Sequence, residues 1–359
     1  MRVCRSCFCE SRTLDSKFAE SKRTDDCPTC GSSSVALLDT DELVEAFAPL
    51  HKMYEVAERG QHYLWNPDDD ERLLESKCDG LLFLLLDDWK LFSDDIEDSI
   101  QRDLLRALWP GWDETSDYSR ECWWEEYADS IWERLAHRVK HKRRFFPPAT
   151  NSPRDNDDIE RDLRHYIDAC DDLDHAETWI RARPGKRLAS EMGAPSPNLV
   201  KKGQRANPAG IAYLYLASDE ETALAEVRAE PGDEVTLARI VIPKNARIAD
   251  LSDLHRTEID PLGHEDLKFE INRRALLRRF AEDLSRPVTD NDHEIDYVPT
   301  QYLAEFFLTL GFDGICFRSS LANGKNIVFF DPERSSINPE VFHVRVISKK
   351  SIWIAVNAD

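Results

Sequence analysis

The chain has 359 residues, 41% of them apolar and 32% charged, with a formal net charge of −22. That length accommodates two or three domains with buried cores, and that composition excludes a disordered chain. The charge excludes a broad nucleic-acid footprint, because non-specific binding to phosphate backbones is driven by positive surface.

The longest apolar run, residues 81–86, is far short of a bilayer span, and the amino-terminal MRVCRSCFCE has no apolar h-region. A cytoplasmic protein without membrane contact is expected. Five of the nine cysteines fall in the first thirty residues, as Cys4-x-x-Cys7, Cys9 and Cys27-x-x-Cys30. Two such knuckles, each turning two thiolates inward across a polar segment of ribbon-like length, are what four-coordinate zinc needs. Cys4, Cys7, Cys27 and Cys30 are the ligands this spacing selects, with Cys9 an alternative to Cys7. Four protein ligands leave no open position, so the metal is expected to be structural. Disulfide pairing is the competing reading, and a cytoplasmic chain disfavours it.

A zinc ribbon over residues 1–38 is followed by a helical region over 39–147. Asp39 with Glu42 predicts a helix start, and that helix is expected to run through Phe47, Leu50, Met53 and Tyr54 to a stop at Gly60. Further helices are predicted over 81–92, 96–109 and 119–146. In the last, Trp124, Tyr127, Ile131, Leu135 and Val139 recur at helical spacing, which reads as a bundle with an aromatic core. The basic run from Lys140 to Arg144 complements the negative end of that helix. Pro147, Pro148 and Pro153 punctuate a linker over 148–160, and a last domain of mixed α/β content is expected over 161–359.

Within it, a helix is predicted over 159–173, and Arg183, followed by Pro184, is expected to begin a turn. Arg205 precedes Asn207-Pro208-Ala209-Gly210, a turn sequence that sets the arginine on a loop. Residues 211–217 have the β-branched and aromatic content of a strand, with Tyr213 and Tyr215 on one face and Leu214 and Leu216 on the other. Ser218-Asp219-Glu220-Glu221 has the pattern of a capping box with Ser218 as the cap, which places Glu226 two turns into a helix. Small neighbours at Ala223 and Ala225 let a ligand approach that carboxylate. Strands are predicted over 235–242, 248–251, 326–331 and 341–356, and helices over 265–284 and from Tyr297 onward.

The string G-x-R-x-N-P-x-G-I, then Y-L-A, then T-A-L-A-E-V-R resembles the RES family, NAD-degrading toxins whose fold is related to ADP-ribosyltransferases. Carried over residue by residue, the resemblance implies that Arg205, Tyr215 and Glu226 hold the family's arginine, tyrosine and glutamate positions. The family's serine falls in Asp313-Gly314-Ile315-Cys316-Phe317-Arg318-Ser319-Ser320, where the register favours Ser319 over Ser320 and Phe317 replaces the more usual Tyr. Arg183 resembles part of an R-A-R element near the start of the family's domain.

The layout as a whole resembles a subgroup with a zinc ribbon and a HEPN-type helical domain ahead of the RES domain. It implies an α+β protein with an ADP-ribosyltransferase-like β core. The activity implied is cleavage of NAD+ at the nicotinamide–ribose bond with inorganic phosphate as acceptor, which depletes cellular NAD. Glu226 would face the ribose cation, and Arg183, Arg205, Tyr215 and Ser319 would hold the dinucleotide. Such an enzyme implies an inhibitory antitoxin or immunity partner. Transfer of ADP-ribose to a protein is the alternative within enzymes. An RNA-binding or RNA-cleaving HEPN protein, using Arg134 and His141, is the alternative from another class, although Leu135 stands where a polar residue is usual.

Overall fold

The computed structural model describes residues 1–57, 61–64, 72–75, 78–120, 124–145, 157–174, 178–254, 259–286 and 294–347. The expected helix stop at Gly60, the linker prolines 147–153 and the strand end at 348–356 lie outside them. The chain divides into two compact units, Met1–Glu133 with Leu254–Leu276, and Arg134–Asp253 with Leu277–Asp359.

In the first unit, β1 (Arg2–Cys4), β2 (Thr24–Asp25) and β3 (Val35–Asp39) form an antiparallel sheet in the order β1-β3-β2, with α1 (Arg12–Ala19) inserted between the first two. Asp39 does form a capping box with Glu42, but it opens a 3-10 turn followed by a short helix, α2 (Val44–His51). The chain then turns extended in β4 (Tyr54–Val56), so Met53 and Tyr54 lie beyond the helix. After β5 (Gln61–Leu64), β6 (Arg72–Glu75) and β7 (Cys78–Gly80) come α3 (Leu81–Trp89) and α4 (Asp98–Leu108).

The long helix expected over 119–146 is three pieces: β8 (Asp117–Arg120), α5 (Trp124–His137) and a π-helical turn, Arg138–Lys142. β8 pairs with both β4 and β7. Tyr54 and Arg120, opposite one another in that pairing, both bond Asp88 of α3, at 2.6 and 2.7 Å. Burying a carboxylate demands such partners, and they came from segments that helical periodicity cannot connect. The core of this unit runs through Phe8, Phe47 and Phe92, whose rings lie 6.1 and 6.0 Å from that of Phe8. Ile259, Leu262, Leu267 and Ile271 join the same core, and Asp260 accepts from Ser11 and Thr13 at the start of α1.

The second unit is built on a seven-stranded sheet. After α6 (Asp157–Asp168) come β9 (Thr178–Pro184), β10 (Leu214–Ala217), α7 (Glu220–Glu226), β11 (Glu234–Val241), β12 (Ile248–Asp250), α8 (Leu267–Ser285), of which the residues through Leu276 belong to the first unit, α9 (Val298–Thr309), β13 (Gly314–Arg318), β14 (Lys325–Phe329) and β15 (Ser336–Arg345). The order is β12-β13-β14-β10-β9-β11-β15, antiparallel except where β12 runs parallel to β13. Leu214, Leu216, Ile240, Cys316, Ile327 and Phe329 are fully or almost fully buried on the sheet, as the alternation of Leu and Tyr in β10 predicts. Each such aliphatic side chain contributes about 1.5–3 kcal/mol of burial. A Cβ on Gly314 would lie 2.6 Å from the Val328 carbonyl oxygen, so glycine alone permits β13 and β14 to approach this closely. Among the described residues no helix is long and apolar enough to cross a membrane.

Candidate active site

Four segments of the second unit surround a cavity of about 890 Å³, within the range of small-molecule sites. The first is β9. Arg183 does not begin a turn as the following proline suggests. It lies inside the strand, opposite Thr236 of β11, while Arg181 stands opposite Ala238. Two residues apart, the arginines share a face of the strand, and both line the cavity. Arg183 Nη2 donates to the Gly193 carbonyl at 2.7 Å, and its Nε is buried without a partner. Burial, reinforced by the Arg183 charge, lowers the Arg181 guanidinium to about 10. Arg183 is also lowered, by burial and then by Arg187. Both cations are held where burial disfavours their charge.

The second segment is the loop ahead of β10. Arg205 is 8% exposed, and its Nη1 donates to the Asp283 carbonyl at 3.2 Å while its guanidinium lies 5.0 Å over the Tyr297 ring. Its own carbonyl accepts from Thr300 at 2.6 Å. Asn207 organises the turn, its amide donating to the Ile211 carbonyl at 2.7 Å and its oxygen accepting from the Tyr215 hydroxyl at 2.6 Å. Residues 211–213, expected to be strand, belong to this turn instead, so β10 begins at Leu214. The Tyr215 hydroxyl is thus engaged by the loop that carries Arg205, and burial pushes its pKa well up.

The third and fourth segments meet at Glu226, the last residue of α7. Asp219, and not Ser218, caps this helix, accepting from the Thr222 amide at 2.8 Å. Ser218 instead donates to Asp219 and accepts from the Lys325 amide at 2.9 Å. A one-residue shift of the cap follows from that cross-strand bond, which the local pattern does not contain. Ser319 follows β13, and its hydroxyl oxygen accepts from the Leu321 and Ala322 amides at 3.1 and 3.2 Å. With both lone pairs used, its proton is directed to Glu226 Oε1, 2.7 Å away. Ser320 donates to the Ser285 carbonyl instead. Asn326, on β14, donates its side-chain amide to the same Glu226 oxygen at 2.7 Å.

The cavity is cationic in a strongly acidic chain. Arg181, Arg183, Lys201, Lys202, Arg205, Arg228 and Arg286 line it, and among the described residues Glu226 is the one acidic residue in its lining. Tyr213, Tyr215, Tyr297 and Phe317 supply aromatic surface. The residues expected from the sequence are therefore drawn to one place: Arg183, Arg205, Tyr215 and Glu226 line the cavity, and Ser319 reaches it through Glu226. Arg181, Asn207 and Asn326 were missed. The polar asparagine at the head of the apolar run Ile327–Phe330 was the available signal for the last. Arg134 and His141 lie outside the lining; nearby Lys140 pairs with Asp296 at 3.0 Å and Arg138 stacks over Tyr302 at 5.8 Å.

In the first unit, the sulfurs of Cys4, Cys7, Cys27 and Cys30 lie within 4.8 Å of one another. Their separations include 3.9 Å (Cys4–Cys7), 3.4 Å (Cys4–Cys30) and 3.7 Å (Cys7–Cys27). Tetrahedral zinc with bonds of about 2.3 Å sets its sulfurs roughly 3.8 Å apart, so the donor set fits. Cys9 is turned away, its thiol donating to the Phe92 carbonyl at 3.1 Å.

No curated protein matches this chain. Among solved structures, the MbcT–MbcA toxin–antitoxin complex of M. tuberculosis is similar with a TM-score of 0.32 and 15% identity, covering 51% of this chain and 92% of the matched chain. The family model described as the RES domain matches residues 178–348, the span that holds β9 to β15 and the described lining of the cavity.

Proposed function

We propose that the domain matching the RES model cleaves NAD+ at its nicotinamide–ribose bond and passes the ADP-ribosyl group to inorganic phosphate, giving nicotinamide and ADP-ribose 1''-phosphate. The observation that carries this reading is Glu226, the single carboxylate among the described residues that line a cationic cavity, fixed by two hydrogen bonds. Nicotinamide leaves as a neutral group and the ribose becomes an oxocarbenium ion, so the reaction calls for negative charge at the ribose more than for an acid. Glu226 supplies it, and its Oε2 carries no protein hydrogen bond among the described residues, leaving it available to ribose hydroxyls.

The cations serve the substrate's other half. Arg181 and Arg183 are suited to the pyrophosphate and the acceptor phosphate, each charge-assisted bond contributing roughly 1.5–3 kcal/mol. Arg205 acts chiefly through its loop, since it is bonded to Asp283 and covered by Tyr297. Tyr215 offers its ring to nicotinamide, with its hydroxyl committed to Asn207. We further propose that the four-cysteine cluster holds a structural zinc ion, and that the producing cell restrains the enzyme with an inhibitory partner, because unrestrained loss of NAD arrests growth.

Mass spectrometry of the products with and without added phosphate tests the reading. Nicotinamide release that saturates with phosphate, yields ADP-ribose 1''-phosphate and drops by about 10²-fold or more in Glu226→Ala is the expected result. Free ADP-ribose or a labelled protein, at a rate indifferent to phosphate, would instead establish water or a protein side chain as acceptor.

A further inference from the structure

We infer that Asn326 is a positioning residue for the reaction, one half of a two-donor clamp that holds Glu226 by a single oxygen. The inference rests on the function proposed above. Asn326 is 8% exposed, lines the cavity, and stands opposite Ala217 of β10 on one side and Phe317 of β13 on the other. It is thus fixed by backbone pairing on both flanks. Glu226 has no such support: it is the exposed last residue of a seven-residue helix, followed by Arg228 with φ of +52°. A carboxylate at a short helix's end has several rotamers open to it, and choosing one costs side-chain entropy. Ser319 and Asn326, both 2.7 Å from Oε1, make that choice before substrate binds.

The same loop secures the other end of α7. Gly324 lies against the helix cap so closely that a Cβ there would come within 2.3 Å of both Asp219 Oδ2 and Thr222 Oγ1. The stretch from Ser319 to Asn326 therefore fixes α7 at its first turn and at its last residue. Glu226 is registered against β14 and not left to the helix alone. The charged groups lining the same cavity are Arg181 and Arg183 of β9, Lys201, Lys202 and Arg205 of the loop, Arg228 after α7 and Arg286 after α8, all cations. Among the described residues no other carboxylate lines the cavity to compete for the asparagine amide.

The test compares wild type, Asn326→Ala and Asn326→Asp. With alanine, kcat is expected to fall on the order of 10²-fold while KM for NAD+ stays within a few-fold, as for a misplaced reacting group. With aspartate, a second carboxylate sits at hydrogen-bond distance from Glu226, and like charges raise the pair's upper ionisation. Above that raised value the ionised aspartate donates nothing and repels Glu226, so activity should lie at or below that of the alanine variant, and the pH profile should carry a titration that sets it apart from the wild-type profile. Equal losses in kcat and binding in both variants, with no change in pH profile, would overturn the clamp. A wild-type protein that leaves NAD+ intact would overturn the proposed function instead. In that event the Glu226 carboxyl carbon, followed by NMR titration in the same three proteins, still decides: an unmoved midpoint in Asn326→Asp refutes the clamp, and a raised one supports it.

Discussion

Ser319 Oγ and Glu226 Oε1 lie 2.7 Å apart although 93 positions separate them in the chain. The bond has one sense only, because two backbone amides already occupy the hydroxyl's acceptor side. The serine that gives this site its character thus acts on the carboxylate first, and on any ligand through it.

Replacing that hydroxyl should separate the two adjacent serines. Ser319→Ala is expected to lower NAD+ cleavage on the order of 10- to 100-fold, through a mispositioned Glu226. Ser320→Ala, which removes only a bond to the Ser285 carbonyl, should leave the rate roughly unchanged. Steady-state rates of the two variants, each checked for folding by circular dichroism, measure the difference. Equal losses would contradict the assignment of Ser319.

The arginines should divide by location. Arg183→Ala removes a cation with an unpartnered buried Nε, and the phosphate concentration for half-maximal rate should rise, with a modest fall in Tm because the Gly193 carbonyl loses this donor. Arg205→Ala should abolish turnover and also lower Tm, because it leaves the Asp283 carbonyl without this donor and strips the Tyr297 ring of its cation, a contact of about 0.5–2 kcal/mol. Phosphate titrations and thermal melts on both variants check this. An Arg205→Ala protein with wild-type Tm would show that the arginine serves the ligand alone.

The cysteine cluster should carry about one zinc ion per chain. Cys27→Ser is expected to lose the metal and to loosen β1, β3 and the start of α1, whereas Cys9→Ser should retain it. Metal analysis by plasma mass spectrometry and hydrogen exchange over residues 1–38 give the two readouts. Zinc-free protein purified without chelator would remove the site.

The sequence by itself determined those features that depend on neighbours a few residues apart. The knuckle spacing selected four cysteines that do cluster, and the alternation in β10 put Leu214 and Leu216, both in the core of the sheet, on the face opposite Tyr215. The predicted helices α4, α8 and α9 follow from their own periodicity and stops. Arg205, Tyr215 and Glu226 are grouped by the resemblance of their string to the RES family, and they stand on a loop, a strand and a helix that follow one another within about twenty residues.

Only the tertiary structure decided what depends on partners distant in the chain. Ser218 lost the cap of α7 because the Lys325 amide, across the sheet, occupies its hydroxyl. Arg183 stayed in a strand because β11 pairs with it, whatever the proline after it disfavours. The expected helix over 119–146 opened into β8 because β4 and β7 were there to pair with. Local pattern prices a residue's conformation in isolation, whereas backbone hydrogen bonds must be satisfied wherever the fold buries them, and that demand overrides propensities of a few tenths of a kcal/mol. For the same reason the place of Asn326 ahead of an apolar run marks the residue without giving its role, because its partner is a carboxylate 100 positions away.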